Sequence, residues 1–353
     1  MNYYITFIRF AASKFMNQKA NIYVHDKPFH LERGGVLSKL EIAYHTFGKL
    51  NEDKNNVVWV FHALTANSEA LDWWAGLFTN DSAINPQKHF IVCANILGSP
   101  YGTTSPMSID PNTGKAYHST FPLITIGDMV KAHQLLRDHL GIEKISIGLG
   151  GSMGGFQTYE WAVQEPDTFE KLILVATAPK ESPWRISVHA AQRLAIEADS
   201  TWKDHDPEAG AAGVAASRAI GMLSYRNHEI FEKTQNDEES KFDDFKADSY
   251  IRYQGTKLAN RGFSGFLLWN LTKALDSHDL SRGRGTLIEV LEGIRMPILQ
   301  IAISSDILFP IQEQRRVADH LANVNYHEIE SLFGHDGFLT ETEKINFLIE
   351  KFI

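Results

Sequence analysis

The sequence is poor in cysteine, in positive charge and in long apolar runs. Cys93 is the only cysteine among 353 residues, which excludes an internal disulfide and any zinc or iron–sulfur cluster held by several cysteines. A single cysteine also fits a reducing compartment. No apolar run approaches the ~18 residues that a membrane-spanning helix needs. We therefore expect a protein that neither spans a membrane nor depends on disulfides for its stability.

Basic residues are outnumbered, with 34 Lys and Arg against 43 Asp and Glu and a formal net charge of −9. Nucleic acids and anionic membranes are bound through basic surfaces, so neither is expected as a partner. No metal site is expected, because no run of His, Asp and Glu shows ligand spacing such as H-E-x-x-H. Residues 1–20 lack the basic start and the unbroken apolar segment of a signal peptide, and we predict a poorly ordered extension there.

Short apolar runs alternate with helical patterns through the first half of the chain. Runs without polar alternation are typical of strands that are buried on both faces of a parallel sheet. The predicted strands cover residues 40–46, 57–61, 90–95, 145–149, 172–177, 298–303 and 326–330. The predicted helices cover residues 128–140, 153–164, 209–223, 311–321 and 343–352. This alternation predicts an α/β protein with a mostly parallel central sheet and helices on both faces.

The strand rhythm stops between residues 181 and 293, where Ala-rich helical stretches and a polar, acidic connector over residues 234–248 replace it. It resumes with the apolar run at residues 298–303. We therefore predict a poorly ordered extension (residues 1–20), a core in two parts (21–180 and 294–353) and a helical lid inserted between them (181–293).

The strongest local signal is the run GGSMGG over residues 150–155, which follows a predicted strand and opens a predicted helix. In this context G-x-S-x-G is the signature of a nucleophile elbow, in which a tight turn presents a serine above the sheet. A phosphate-binding loop is the alternative, but its pattern requires a lysine that is absent here. The run therefore predicts Ser152 as a nucleophile.

Asp306 and His335 are the predicted partners of Ser152. Each follows one of the last two strands, in the chain order Ser, Asp, His that the elbow architecture requires. His335 would deprotonate Ser152, and Asp306 would orient the imidazole. Asp336 is a competing orienter, disfavoured because a sequence neighbour rarely reaches Nδ1 of the imidazole. The backbone N–H groups of Met153 and Leu64 are predicted to form an oxyanion hole.

The cysteine and a pair of tryptophans have no assigned catalytic role. Cys93 lies inside a predicted strand, where a buried packing role is favoured over a catalytic thiol. The indoles of Trp73 and Trp74 fit a pocket wall and plain packing equally well. The residues named so far indicate a serine acyl enzyme, but esterases, lipases, peptidases and acyltransferases share them.

Further sequence segments narrow that choice through a resemblance. Nine segments together resemble the homoserine O-acetyltransferase family of the α/β-hydrolase superfamily. They are residues 62–65 (HALT), 72–74 (DWW), 93–99 (CANILGS), 101–104 (YGTT), 121–122 (FP), 125–126 (TI), 150–155, 305–310 (SDILFP) and 334–339 (GHDGFL). The similarity runs from about Phe29 to the C-terminus. It implies an α/β-hydrolase fold and a cytoplasmic homodimer that acetylates L-homoserine with acetyl-CoA on the route to methionine, with acetyl-CoA as co-substrate and no bound cofactor.

The resemblance also implies roles for individual residues. The family's nucleophile, acid and base fall on Ser152, Asp306 and His335, its substrate-binding arginine on Arg218 and its amine-binding acid on Asp336. Tyr225, two helical turns beyond Arg218, is assigned to substrate binding with it. An arginine fork suits the carboxylate of an amino acid, and an acid suits its ammonium group.

The sequence departs from the family pattern at residues 261–265 (RGFSG), whose glycines would loosen the lid, and at Pro100. Four alternatives remain open at this point. A succinyl-CoA donor and an L-serine acceptor stay possible because one or two pocket residues can decide between substrates. The others are a simple esterase and a non-catalytic binding protein of the same fold, against which the intact set of Ser152, Asp306 and His335 argues.

Overall fold

The computed structural model describes residues 19–353, and the predicted extension lies outside the described residues except for its last two. The strands are β1 (Asn21–His25), β2 (Phe29–His30), β3 (Val36–Leu37), β4 (Leu40–Phe47), β5 (Val57–Phe61), β6 (Phe90–Ala94), β7 (Ile145–Gly151), β8 (Phe169–Val175), β9 (Ile298–Ile303) and β10 (Val324–Ile329).

Eight of these strands form one sheet in the order β1-β4-β6-β5-β7-β8-β9-β10, while β2 and β3 pair separately. The β1–β4 and β4–β6 pairs are antiparallel, and every later pair is parallel. All residues of β5 and β9 are buried, as their unbroken apolar sequences require. The predicted mostly parallel α/β sheet is therefore confirmed.

The helices are α1 (Ala70–Trp73), α2 (Ile126–His139), α3 (Met153–Gln164), α4 (Pro183–Glu197), α5 (Ala211–Tyr225), α6 (His228–Gln235), α7 (Lys246–Ala259), α8 (Gly265–Asp276), α9 (Leu287–Glu292), α10 (Ile311–Ala318), α11 (Gly337–Thr340) and α12 (Thr342–Phe352). Short 3-10 turns occupy Ala75–Leu77, His118–Thr120 and Gly334–Asp336. The start of α2 is fixed by a capping box, in which Thr125 and Asp128 satisfy each other's backbone N–H groups.

Alternate strand residues enter two separate apolar clusters, one on each face of the sheet. Trp59 packs in the cluster that contains residues of α2 and α3, whereas its neighbours Val58 and Val60 pack in the cluster that contains Ile345 and Ile349 of α12. Successive side chains of a strand point to opposite faces, so both faces of the sheet are covered by helices.

The chain between β8 and β9 contains the helices α4 to α9. The acidic stretch at residues 234–248 joins α6 to α7, and it is exposed through most of its length. The role of this helical insertion as a lid stays a prediction, and so do the predicted domain boundaries. Within residues 19–353 no helix is long and apolar enough to cross a membrane.

Three buried histidines lie in or beside this core. Burial lowers the pKa of His62 to about 4 and the pKa values of His133 and His278 to about 3. The ring of His133 packs against Phe61, and neither of its nitrogens has a hydrogen-bond partner within residues 19–353. All three histidines are therefore neutral in the folded protein at neutral pH.

We predict that acid destabilises the fold below about pH 6.5, the ordinary histidine pKa. The unfolded chain binds protons there that the folded chain excludes, so stability is complete above that pH and is lost as the pH falls toward 3. Each such histidine should cost about 2 kcal/mol of unfolding free energy between pH 7 and pH 5. Urea unfolding at both pH values measures it. His133→Phe should reduce the loss, and the exposed control His228→Phe should not; equal losses in both variants would contradict the prediction.

Candidate active site

Ser152 lies in a strained turn between β7 and α3. Its backbone has φ 55° and ψ −126°, a region that residues with a Cβ rarely adopt. Two hydrogen bonds hold the turn: the Ser152 N–H donates to the carbonyl oxygen of Val175 (3.0 Å), and the Thr177 hydroxyl donates to the carbonyl oxygen of Ser152 (2.8 Å). Val175 is the last residue of the neighbouring strand β8 and Thr177 lies two residues beyond it, so this end of the sheet fixes the position of the serine.

Two glycines of the run are required by close approach of backbone. A Cβ on Gly154 would collide with the carbonyl oxygen of Phe61 at the end of β5, and a Cβ on Gly150 would collide with the carbonyl oxygen of Gly154. Because both positions lack a side chain, the first turn of α3 can lie directly against the chain at the end of β5. This contact brings the residues after Phe61 beside Ser152.

Ser152, His335 and Asp306 form a continuous hydrogen-bonded series. His335 Nε2 lies 2.8 Å from Ser152 Oγ, and His335 Nδ1 lies 2.7 Å from Asp306 Oδ2. The other oxygen of Asp306 accepts the backbone N–H groups of Leu308 (2.8 Å) and Phe309 (2.9 Å), which hold the carboxylate in place. The structure thus brings together the three residues predicted from the sequence.

Packing fixes the imidazole of His335 further. Its ring stacks on Phe309 with centroids 5.0 Å apart, and it contacts Phe338 at 5.1 Å. The carbonyl oxygen of Phe338 accepts a hydrogen bond (2.9 Å) from the indole N–H of Trp74, a buried residue. Trp74 therefore packs behind the loop that carries His335.

Asp336, the competing orienter, does not contact the imidazole nitrogen. Its Oδ2 lies 2.6 Å from Nε of Arg226, which follows α5. The geometry therefore leaves Asp306 as the carboxylate that holds His335 Nδ1.

The predicted oxyanion-hole residues Met153 and Leu64 line the same pocket as Ser152. Neither backbone N–H has a hydrogen-bond partner within residues 19–353, so both are available to an oxyanion. His62 shapes the loop that carries Leu64: its Nε2 accepts the Ile96 N–H (3.0 Å), so its Nδ1 carries the proton that is donated to the Ala63 carbonyl oxygen (2.8 Å). In the sequence His62 is only the first residue of the HALT segment, and no pattern there predicts this role.

Arg218 and Tyr225, the predicted substrate-binding residues of α5, also line this pocket, as does Asp336. The guanidinium of Arg218 lies 5.1 Å from the centre of the Tyr225 ring. Within residues 19–353 no carboxylate lies within ion-pairing distance of Arg218. Arg218 thus presents an uncompensated positive charge to the pocket, whereas the charge of Asp336 is shared with Arg226.

A buried charged cluster of α4 forms another part of the pocket wall, and sequence reasoning did not find it. Glu181, Arg185 and His189 all line the pocket and are at most 5% exposed. Arg185 pairs with Glu181 and, through two hydrogen bonds of 2.7 and 2.8 Å, with Glu313 of α10. Burial raises the pKa of Glu181, and the positive charge of Arg185 opposes that rise.

The spacing of four between Glu181, Arg185 and His189 is compatible with one helical face, but no local pattern reveals their pairing with Glu313. Arg185 and Glu313 are separated by 128 positions.

Within residues 19–353 no group of three or more His, Cys, Asp or Glu residues could hold a metal ion.

Comparison with known proteins places this geometry in a family. The family model of the alpha/beta hydrolase fold matches residues 56–342. Homoserine O-acetyltransferase of Cyclobacterium marinum is 46% identical over 331 residues, which cover 94% of each chain. The chain belongs to the homoserine O-acetyltransferase family. The resemblance inferred from the sequence motifs is therefore confirmed.

Among solved structures, homoserine O-acetyltransferase from Bacillus anthracis superposes with a TM-score of 0.87 at 24% identity, covering 95% of this chain and 97% of that chain. Esterase E22 superposes with the same TM-score at 22% identity, covering 95% and 99%. At these identities the likeness bears on the fold alone. One fold thus carries both an acetyltransferase and an esterase, and the pocket of this family member must supply the distinction.

The helical insertion is joined to the core beside each loop of the site. Arg185 donates to the carbonyl oxygen of Leu308 in the loop of Asp306 (3.2 Å), and Arg226 binds Asp336 beside His335. Arg261 donates to the carbonyl oxygen of Thr65 (2.9 Å), next to Leu64. The stretch at residues 261–265, whose glycines suggested a loosened lid, therefore makes a direct bond to the core.

Proposed function

We propose that this protein transfers the acetyl group of acetyl-CoA to the hydroxyl of L-homoserine, releasing CoA and O-acetyl-L-homoserine. The observation that carries the proposal is the unpaired guanidinium of Arg218 in the pocket that contains the Ser152–His335–Asp306 series. The series supplies acyl chemistry, and the free guanidinium supplies a site for the carboxylate of an amino acid.

In the first half of the proposed cycle, Ser152 is the nucleophile. His335 Nε2 takes the hydroxyl proton as Oγ attacks the thioester carbonyl. The resulting oxyanion is stabilised by the N–H groups of Leu64 and Met153, each worth about 3 kcal/mol in such sites. The C–S bond then breaks, His335 returns the proton to the CoA thiolate, and the acetyl group stays on Ser152 as an ester.

In the second half, L-homoserine occupies the pocket. Its carboxylate pairs with Arg218, whose position over Tyr225 is set by a cation–π contact. Its ammonium group contacts Asp336. His335 takes the proton of the homoserine hydroxyl as its oxygen attacks the acetyl ester, and it returns that proton to Ser152 when the tetrahedral intermediate collapses. Transfer exceeds hydrolysis because a bound acceptor is held in line with the ester.

The insertion would act as a lid by limiting the access of water to this ester. Such a biosynthetic reaction draws on acetyl-CoA and leads toward methionine, and we assign it to the cytoplasm. Acetyl-CoA is a co-substrate, and no bound cofactor enters the proposed steps.

Thiol release measured with acetyl-CoA and succinyl-CoA, each with L-homoserine, L-serine or no acceptor, tests this function. We expect fast release only with acetyl-CoA and L-homoserine, and a burst of one equivalent per chain without acceptor. Ser152→Ala should abolish both the burst and the acetylated protein seen by mass spectrometry, because no other nucleophile lies at the elbow. Rapid release that is independent of acceptor would instead indicate an esterase, and near-normal turnover of Ser152→Ala would refute the mechanism.

Arg218→Leu should raise the KM for L-homoserine about 10- to 100-fold, since it removes a charge-assisted bond to the carboxylate. The acetyl burst should be unchanged, because acetyl-CoA brings no amino-acid carboxylate. Steady-state kinetics with L-homoserine measures the effect. Arg252→Leu, an exposed change on α7, is the matched control. A KM that stays at the parent value in Arg218→Leu would remove Arg218 from the binding site.

We also propose a homodimer, in line with the family resemblance. Three helices of the insertion carry large apolar side chains that are exposed in the single chain: Leu194 (65%), Leu223 (61%) and Tyr253 (60%). Multi-angle light scattering should give the mass of two chains. Leu194→Glu combined with Leu223→Glu should shift it toward one chain if these helices form the interface, whereas Phe347→Glu, an exposed apolar position on α12, should not.

A further inference from the structure

His189 is a pocket residue to which no role has yet been given. It lies on α4, is 5% exposed, and lines the pocket that contains Ser152 and Arg218. Its Nδ1 lies 2.8 Å from Oδ1 of Asp276, at the end of α8. Because a carboxylate oxygen only accepts, Nδ1 carries the proton of this hydrogen bond. In the neutral ring, Nε2 on the opposite side is then an acceptor.

That acceptor is unused by the protein. Nε2 of His189 has no hydrogen-bond partner within residues 19–353, whereas Asp276 is doubly bound, to His189 and to Nη2 of Arg193 (2.6 Å). Asp276, itself held by Arg193, thus fixes the ring, while the remaining nitrogen is left for the pocket. A ring that is fixed through one nitrogen, with its other nitrogen unpartnered on the wall of the pocket, is preorganised to accept a hydrogen bond from a ligand.

The charges around His189 favour a cation. With Glu181 ionised in its pair with Arg185, the directly bonded cluster contains the carboxylates of Glu181, Asp276 and Glu313 and the guanidinium groups of Arg185 and Arg193. Three carboxylates against two guanidinium groups leave one excess negative charge. Oε1 of Glu181 lies 3.6 Å from Nδ1 of His189, so this charge is close to the ring.

The position suits the amine of an amino acid whose carboxylate is bound by Arg218. The helices α4 and α5 are held in register by the bond from Gln192 to the carbonyl oxygen of Ser217 (3.1 Å), which places His189 and Arg218 on walls of the same pocket. An ammonium group has three N–H donors. Asp336, whose charge is shared with Arg226, leaves donors to be satisfied.

We infer that His189 Nε2 accepts a hydrogen bond from the ammonium group of the acceptor amino acid, which makes His189 a specificity-determining residue. The inference rests on the proposed function, because it names a contact of the proposed acceptor. It adds the α4 cluster to the acceptor site and separates recognition of the amine from recognition of the carboxylate.

The test compares L-homoserine with 4-hydroxybutanoate, which has the same hydroxyl and carboxylate but no amine. The ratio of their kcat/KM values, from thiol release with saturating acetyl-CoA, measures amine recognition. His189→Leu should reduce this ratio about 10- to 100-fold, entirely through L-homoserine, because a hydrogen bond to a charged group is lost. His189→Gln, which can place an oxygen near the Nε2 position, should retain part of the ratio. His228→Leu, at an exposed histidine of α6, should leave it unchanged.

Three further outcomes have fixed meanings. A parent-like ratio in His189→Leu, or equal losses with both acceptors, would overturn the inference, since His189 would then be a purely structural partner of Asp276. If His189→Leu forms no acetyl-enzyme, His189→Asn replaces it, because its amide can still donate to Asp276, and the same two criteria apply. If the parent protein forms no acetyl-enzyme, or shows no dependence on L-homoserine, the proposed function itself fails, and this inference fails with it.

Discussion

The strained turn at Ser152 is the constraint on which the rest of the site depends. A non-glycine residue at φ 55° and ψ −126° costs on the order of 1–3 kcal/mol, and it persists only where its surroundings determine it. Here Val175 at the end of β8 and Thr177 just beyond it hold both sides of the turn, and the glycines remove the side chains that would separate α3 from β5. The free energy of the packed sheet thus maintains a hydroxyl at the start of a helix, beside the Met153 N–H, which has no partner within residues 19–353.

This dependence explains which parts of the structure the sequence could predict. The buried strands were predictable because a parallel strand covered on both faces must be apolar throughout, and the boundaries of β5 and β9 agree with the prediction. The helix α3 was predictable because it begins at the elbow and ends before Pro166. The strand β1 was missed because it lies at the edge of the sheet with mostly exposed or half-buried residues, and β8 begins earlier than predicted because Glu170 is exposed at its start.

The same reasoning separates the predictable from the unpredictable residues of the site. Ser152, Asp306 and His335 lie in the segments that follow β7, β9 and β10, so the order of elements along the chain was enough to bring them together. The pairs Arg226–Asp336 and Arg185–Glu313 depend on where the insertion helices cross the core, which no local pattern encodes. His62 was hidden for another reason: its role consists of one backbone donor and one backbone acceptor, and backbone partners leave no mark in a sequence.

The anchoring of the insertion bears on how a hydrolase fold can favour transfer over hydrolysis. An acetyl ester is attacked by whichever hydroxyl is correctly placed, so an acyltransferase must control the pocket above Ser152 as strictly as the catalytic groups below it. Arg185, Arg226 and Arg261 reach the acid loop, the histidine loop and the oxyanion loop respectively, so the walls that would hold the acceptor are registered against the groups that would act on it. An insertion fixed at three points positions an acceptor better than a freely hinged one, because each bond removes a motion that would otherwise admit water in place of the acceptor.

The guanidinium groups are suited to this task, since a planar fork can bind two elements at once, as Arg185 does with Glu313 and Leu308. Structures named as an acetyltransferase and as an esterase share this fold, so the fold alone does not determine which acceptor is used.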